Sequence, residues 1–203
     1  MAKIKIIAIN GSPRKNGKTA ELLKKFLSLF KRRGAQTTLI NLSDYDINHC
    51  LGCYSKSPNA CMFPCVQKDD MQKIYPLLLD ADVIILGSPI YWFNMSGLLK
   101  NFIDRLTCLA ASGYLLENKI GLALAVSSEN EGGRVSASLS MASVLNHLGL
   151  LIPPYGILYF PGREKVNKKG KVIWDNWLVN EMPKISHNLI KLSQFLKKSK
   201  FQW

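Results

Sequence analysis

Short apolar runs and helical patterns take turns along this chain, and that alternation constrains the fold more than any other feature. Ile4 to Asn10 is β-branched and apolar and stops at Gly11-Ser12-Pro13, the pattern of a strand buried on both faces. Lys18 to Arg33 carries Leu22, Leu23, Phe26, Leu27 and Phe30 at helical spacing and ends at Gly34. Gln36 to Leu42 reads as a second strand and Asp70 to Ala81 as a helix whose acidic start suits its dipole. Val83 to Gly87 is a third strand, Gly97 to Ala110 a helix, and Ile120 to Val126 a fourth strand. Gly133 to Gly149 is a helix of small residues, Ile152 to Phe160 holds a fifth strand, and Asn180 to Lys198 is an amphipathic terminal helix. Strands separated by helices need crossovers, and crossovers make a parallel sheet covered on both faces. The expected fold class is α/β, with one domain over residues 1–203.

Charge limits the partners. Lys and Arg number 27 and Asp and Glu 14, a net charge of +13 shared by both halves of the chain. The basic clusters, Lys24 to Arg33, Arg163 to Lys171 and Lys197 to Lys200, match no helix-turn-helix, zinc-finger or RNA-binding aromatic pattern. They read as a soluble surface that attracts anionic ligands, with no nucleic-acid partner. No apolar run reaches the ~20 residues of a membrane helix, so no membrane partner is expected. The N-terminal Met1 to Ile7 reads as a charged strand start and not a signal peptide, and a cytoplasmic location is expected.

In an open parallel sheet, ligands bind beyond the carboxyl ends of the strands. Three turns fall there. The first, Asn10 to Thr19, leads from a buried strand into a helix, a junction that aims backbone N–H groups at an anion. Ser12, Asn16 and Thr19 add hydrogen-bonding side chains, Arg14 and Lys18 add charge, and Gly11 and Gly17 permit close approach. The five residues between those glycines exclude the nucleotide-triphosphate loop, which needs four. The plain alternative is a polar strand-to-helix turn. The second turn holds Pro89, Ile90, Tyr91, Trp92, Phe93, Asn94, Met95 and Ser96. Three aromatics in a row at a strand end suit the wall of a flat aromatic ligand, with Asn94 and backbone amides at its polar edge; the alternative is core packing. The third, Ser127 to Gly133, lies beside the others, and an acidic Gly-Gly turn with no ligand explains it equally well. In the helix after the second turn, Asp104 and Arg105 read as a structural ion pair or caps.

Taken together, Gly11-Ser12-Pro13-Arg14 with Gly17 and Thr19, then Ser88-Pro89-Ile90-Tyr91, then Leu99-Lys100 with Phe102-Ile103-Asp104-Arg105 resemble the NAD(P)H-dependent FMN reductases of flavodoxin-like fold. The resemblance covers roughly residues 3 to 150. It implies a three-layer sandwich with a five-stranded parallel sheet of order 2-1-3-4-5, bound FMN and NAD(P)H as co-substrate. The FMN phosphate would sit on Ser12, Arg14, Asn16, Gly17, Lys18 and Thr19. The ring would lie against Pro89 to Ser96, with Ser128, Glu129, Gly132 and Gly133 near its pyrimidine end. Members of that family commonly form dimers with the flavin near the interface, so a homodimer or homotetramer is expected.

Residues 44–69 interrupt the alternation as an insertion after the second strand. They hold Cys50, Cys53, Cys61 and Cys65, four of the five cysteines. Four close thiols without a secretion signal favour a metal site over a disulfide framework. Zinc would accept the C-x2-C and C-x3-C pairs, an iron–sulfur cluster would accept four thiolates, and free or redox-active thiols are the third reading. The segment resembles the iron–sulfur flavoproteins of the same family, which carry a 4Fe–4S cluster there and close with Cys-x-x-x-Asp-Asp, as Cys65 to Asp70 does. It departs from their compact C-x2-C-x2-C, since Lys56 stands at the third position and Cys61 follows five residues later. Cys108 stands apart and reads as a small buried residue.

The leading expectation is an FMN-dependent oxidoreductase. It would pass electrons from NAD(P)H or a carrier, with or without a 4Fe–4S cluster, to a flavin, quinone, small molecule or protein acceptor. No acid–base pair demands a catalytic role. The rivals are a flavodoxin-like electron-carrier module without its own substrate site, against which the basic charge argues, and a non-redox binder of a phosphate ligand.

Overall fold

The computed structural model describes residues 3–127, 133–161, 165–166, 172–173 and 177–199. The elements run β1 (Lys5–Asn10), α1 (Lys18–Arg32), β2 (Gln36–Asn41), α2 (Cys53–Lys56), α3 (Met71–Asp80), β3 (Val83–Tyr91), β4 (Asn94–Met95), α4 (Gly97–Asp104), α5 (Thr107–Ala111), β5 (Ile120–Ser127), α6 (Arg134–His147), β6 (Ile157–Pro161) and α7 (Trp177–Ser199). A separate two-stranded ladder joins Lys165–Val166 to Val172–Ile173. Strands β2-β1-β3-β5-β6 pair in that order, all parallel, and β4 adds antiparallel to β3. The expected order of five parallel strands is present, with β4 as an addition. None of the described helices is long and apolar enough to cross a membrane.

The period-2 geometry of a strand divides each apolar run between two cores. From β1, Ile7 and Ile9 face the layer of α3, α4 and α6, while Ile6 and Ala8 face the layer of α1 and α7. Ile84 and Leu86 of β3 take the first side, and Val83 and Ile85 the second. On the α1 side, Phe26 and Phe30 are fully buried with ring centroids 4.9 Å apart. Burial of each such ring contributes roughly 1.5–3 kcal/mol.

Two elements depart from expectation. The helix expected over Gly97 to Ala110 is two helices that break at Arg105-Leu106. The Tyr75 hydroxyl donates to the Arg105 carbonyl at 2.8 Å, and the Cys108 thiol lies 3.4 Å from it, so that oxygen is engaged from outside the helix. The third strand also runs past Gly87 to Tyr91, with Ser88 and Pro89 opposite Ala125 and Val126 of β5. The second turn is therefore a hairpin, with Ile90 opposite Met95 and Tyr91 opposite Asn94.

Candidate functional site

The ends of β1, β3 and β5 meet at one rim. Beyond β1, the Asn10 carboxamide accepts the Ser12 amide at 3.1 Å, and the Ser12 hydroxyl accepts the Arg14 amide at 3.1 Å. Ser12 and Thr19 are buried, while Arg14 and Asn16 are exposed. Lys15 forms an ion pair with Asp44 and ties the turn to the end of β2. Helix α1 opens at Gly17 in extended conformation, and that residue provides no side-chain cap. That uncapped 15-residue helix fits a phosphate. Gly11 has a different use from the expected one: a Cβ there would lie 2.6 Å from Leu99 Cβ and 3.1 Å from the Gly87 carbonyl, so its bareness admits α4 and β3.

The hairpin supplies the second side of the rim. Trp92 and Phe93 form its tip, both with positive φ (49° and 63°), and expose 94% and 65% of their surface. A two-residue turn with positive φ at both positions matches the twist of its strands and normally selects Asn-Gly, so two aromatics there carry backbone strain. Pro89 and Ile90 are half-buried and Tyr91 is 40% exposed. Met95 packs in the core, and the Asn94 side chain accepts the Met95 amide at 2.8 Å. The Ser96 hydroxyl caps α4 by accepting the Leu99 amide at 3.1 Å and donates to the Gly11 carbonyl at 2.6 Å. Ser96 thus joins the first turn to the second.

Of the third turn, Ser128, Glu129 and Gly132 lie outside the described residues. Gly133 is described, at φ 76°, where an added Cβ would come within 2.5 Å of the Phe93 backbone. One turn into α6, the Ser136 hydroxyl donates to the Phe93 carbonyl at 2.9 Å. The hairpin tip is therefore held by backbone contact with the start of α6.

The four insertion cysteines converge on a second site. Cys50, Cys53, Cys61 and Cys65 line one small pocket with Arg105 and Cys108. All five are free thiols. Arg105 is 2% exposed and forms a two-pronged ion pair with Asp69, with Nη2 to Oδ1 at 3.1 Å. Its Nη1 also donates to the Asn48 carbonyl at 2.9 Å, and its Nη2 lies 3.6 Å from Cys65 Sγ. Asp69 accepts the amides of Asn48 and Met71, and Asp70 accepts that of Asp46 at 2.9 Å. Asn101 of α4 donates to the Ile47 carbonyl at 2.8 Å, and its side-chain oxygen lies 3.1 Å from His49 Nδ1. The insertion is thus fastened to α4 by side-chain bonds.

These contacts set the acidities. Burial alone pushes the Cys65 thiol up, but the Gln67 amide and the Arg105 guanidinium outweigh it and hold Cys65 below the ordinary thiol range. Burial, and then its neighbours Cys50, Cys53 and Cys65, push Cys61 up. Burial would raise Asp69 as well; Arg105 and the amides of Asn48 and Met71 outweigh it and keep the carboxyl below its usual range. Burial lifts Cys108 to about 11, and the residue is 2% exposed, in line with the expected small buried residue.

Among the described residues, no three His, Cys, Asp or Glu side chains gather closely enough to hold a single metal ion. A zinc ion needs all its sulfurs ~2.3 Å from one point. A four-iron cluster gives each thiolate its own iron, so its ligands stand further apart. Four thiols on one pocket are a donor set that a four-iron cluster accepts. A buried Arg105 Nε–H with no acceptor among the described residues fits it too.

Arg105 was expected to pair with Asp104 or to cap. It is the C-cap residue of α4, as expected, but its ion pair is with Asp69, 36 residues away, and Asp104 pairs with Lys100 at 2.6 Å. Asp69 carried no role in the sequence reading. The available signals were an arginine on the apolar face of an amphipathic helix and the Asp-Asp pair after Cys65.

A parallel sheet of this order, with a strand-to-helix turn and an aromatic hairpin at one rim, defines a protein of flavodoxin-like fold. Comparison then narrows the class. Residues 4–164 match the family described as NADPH-dependent FMN reductase, and the chain belongs to it. An iron-sulfur flavoprotein of Archaeoglobus fulgidus is 35% identical over 159 residues, which cover 78% of this chain and 75% of the relative. One from Clostridioides difficile is 31% identical over 81% of this chain and 73% of its own length. Relatives of this kind put the chain in the iron–sulfur flavoprotein branch. Among solved structures, RosB with a bound formylriboflavin-phosphate intermediate superposes with a TM-score of 0.76 at 19% identity, covering 98% of this chain and 82% of RosB. An NADH:FMN oxidoreductase superposes at 0.66 and 22% identity over 92% of this chain and 88% of its own. Those two likenesses speak for the fold. The protein is an FMN-dependent oxidoreductase of the FMN reductase type.

Proposed function

We propose that this oxidoreductase takes electrons from NAD(P)H or a reduced carrier and delivers them through FMN and a 4Fe–4S cluster to a quinone, flavin or protein acceptor. The FMN phosphate is held by Ser12, Arg14, Asn16, Gly17, Lys18 and Thr19, and the uncapped start of α1 supports that reading. The hairpin residues Pro89 to Ser96 shelve the ring, with Ser128, Glu129, Gly132 and Gly133 at its far edge. Cys50, Cys53, Cys61 and Cys65 hold the cluster, with Cys61 in place of the missing third cysteine. Bound FMN would supply two-electron uptake with one-electron release, and a cluster held by the four cysteines would accept single electrons. This chain's own residues bind, orient and shield. Ser96 joins phosphate turn and hairpin, and Ser136 with Gly133 fixes the aromatic tip.

The convergence of all four insertion thiols on one pocket carries this reading. Its test is the absorbance spectrum of anaerobically purified protein with flavin, iron and sulfide analysis. Flavin bands under a broad brown shoulder, with about four irons per chain, are expected. Flavin bands alone would remove the cluster, and a colourless protein after reconstitution with FMN would remove the flavin site. NAD(P)H turnover by the purified protein separates this enzyme from a carrier module, which would show none. The working unit is a homodimer or homotetramer in the cytoplasm. Exposed Trp92, Phe93, Val135 and Leu139 support association, and light scattering of the purified protein tests it.

A further inference from the structure

Arg105 occupies an unusual position for the most strongly basic side chain. It is 2% exposed and lines the thiol pocket; Asp104 lines it too, with its carboxylate paired to Lys100, while Arg105's own counter-ion Asp69 is not among the lining residues. The ion pair therefore presents its positive end to the cysteines. Both Nη atoms are engaged, with Asp69, Asn48 and Cys65. The Nε–H has no acceptor among the described residues, and a buried donor left so costs about 1–3 kcal/mol. A guanidinium with one N–H to spare beneath four thiols suits an occupant that is anionic and rich in sulfur acceptors. A thiolate-bound cluster is both. Donors and positive charge near its sulfurs favour the reduced form, because the added electron meets them at once.

We propose that Arg105 is the positioning residue that raises the reduction potential of the cluster, through Nη2 on the Cys65 sulfur and Nε–H on a further sulfur of the occupant. The inference rests on the cluster reading above. Asp69 partly offsets the guanidinium, so the two residues pull the potential in opposite directions.

The experiment is an anaerobic redox titration of the wild-type holoenzyme, Arg105→Lys and Asp69→Asn, with the flavin potential read in the same samples. Lysine keeps the charge but loses the fork and the Nε–H. Arg105→Lys should shift the cluster equilibrium about tenfold toward the oxidised form, ~59 mV for one electron. Asp69→Asn should shift it the other way, with the flavin potential unmoved in both. A purely structural Arg105 would leave the cluster potential in place, or move it in the same direction in both variants, and either result overturns the proposal. If neither variant folds, pulsed electron paramagnetic resonance on reduced wild-type protein labelled with nitrogen-15 arginine decides. Coupling to an arginine nitrogen supports the role and its absence overturns it. Wild-type protein without iron would fail the cluster reading itself, and this proposal with it. Wild-type protein with iron but none of these effects would fail Arg105 alone.

Discussion

The rim and the cysteine pocket are built by different means. At the rim, backbone groups are the fixed points and two serine hydroxyls join them: Ser136 donates to the Phe93 carbonyl and Ser96 to the Gly11 carbonyl. Its positions are inherited from strand ends, so it stands as firmly as the sheet. The pocket sits on a segment with one four-residue helix and little other regular structure, fastened by side chains that reach across 36 to 57 residues. A backbone-built site tolerates exchange of most side chains. A site built on one buried ion pair does not.

The sharpest way to break that contrast is Asp69→Ala, which leaves the Arg105 charge buried and unpaired. A loss of about 3–5 kcal/mol is expected in denaturant titration; a loss under 1 kcal/mol would mean the pair is not the fastening. Acid should act in the same place. The folded Asp69 carboxyl titrates below its unfolded value near 3.9, so the pair contributes fully above that pH and is lost as pH falls through the lowered folded value. Hydrogen exchange across residues 45–69 should stay slow down to about pH 4 and accelerate below it, ahead of β1 and β3. Equal acceleration everywhere would contradict the idea.

Smaller effects belong to the rim. Gly133→Ala places a methyl group against the Phe93 backbone at a positive φ, and should cost about 1–3 kcal/mol while weakening FMN binding. Calorimetry on apo and FMN-loaded protein reads both, and an unchanged FMN affinity would detach the hairpin from the ring. Ser12→Ala removes the acceptor of the Arg14 amide and should weaken FMN binding about fivefold, or ~1 kcal/mol, by flavin fluorescence titration. Ser136→Ala is the mildest change, with a loss of about 0.5–1 kcal/mol in thermal unfolding. A larger drop there would show the hairpin leaning on that single bond.

The sheet was legible because each of its strands repeats one physical pattern, and the parallel order followed from the family resemblance. The end of β3 was not. Ser88 to Tyr91 hold a proline, a serine and an aromatic, the composition of a turn, yet pairing with β5 extends the strand through them. Tertiary pairing overrode local preference. The helix break at Arg105 was equally hidden, since the groups that engage its carbonyl include Tyr75 of another helix. At the sites, residue type singled out the turn after β1 that we propose for phosphate, and four close cysteines pointed to a common site, which the pocket they line bears out. The Arg105–Asp69 fastening left only an arginine on an apolar helix face, and its partner could not be chosen without the fold.

Helix α4 begins at the serine that joins the first turn to the hairpin and ends one residue before the arginine that lines the thiol pocket. Its eight residues span about 12 Å. That helix is a ruler laid between two centres of charge. A residue inserted in it would lengthen the span and swing Arg105 by ~100° about the helix axis, away from the thiols. The spacing between the rim and the cysteine pocket is thus written into a single short stretch, and lengthening it would disturb both at once.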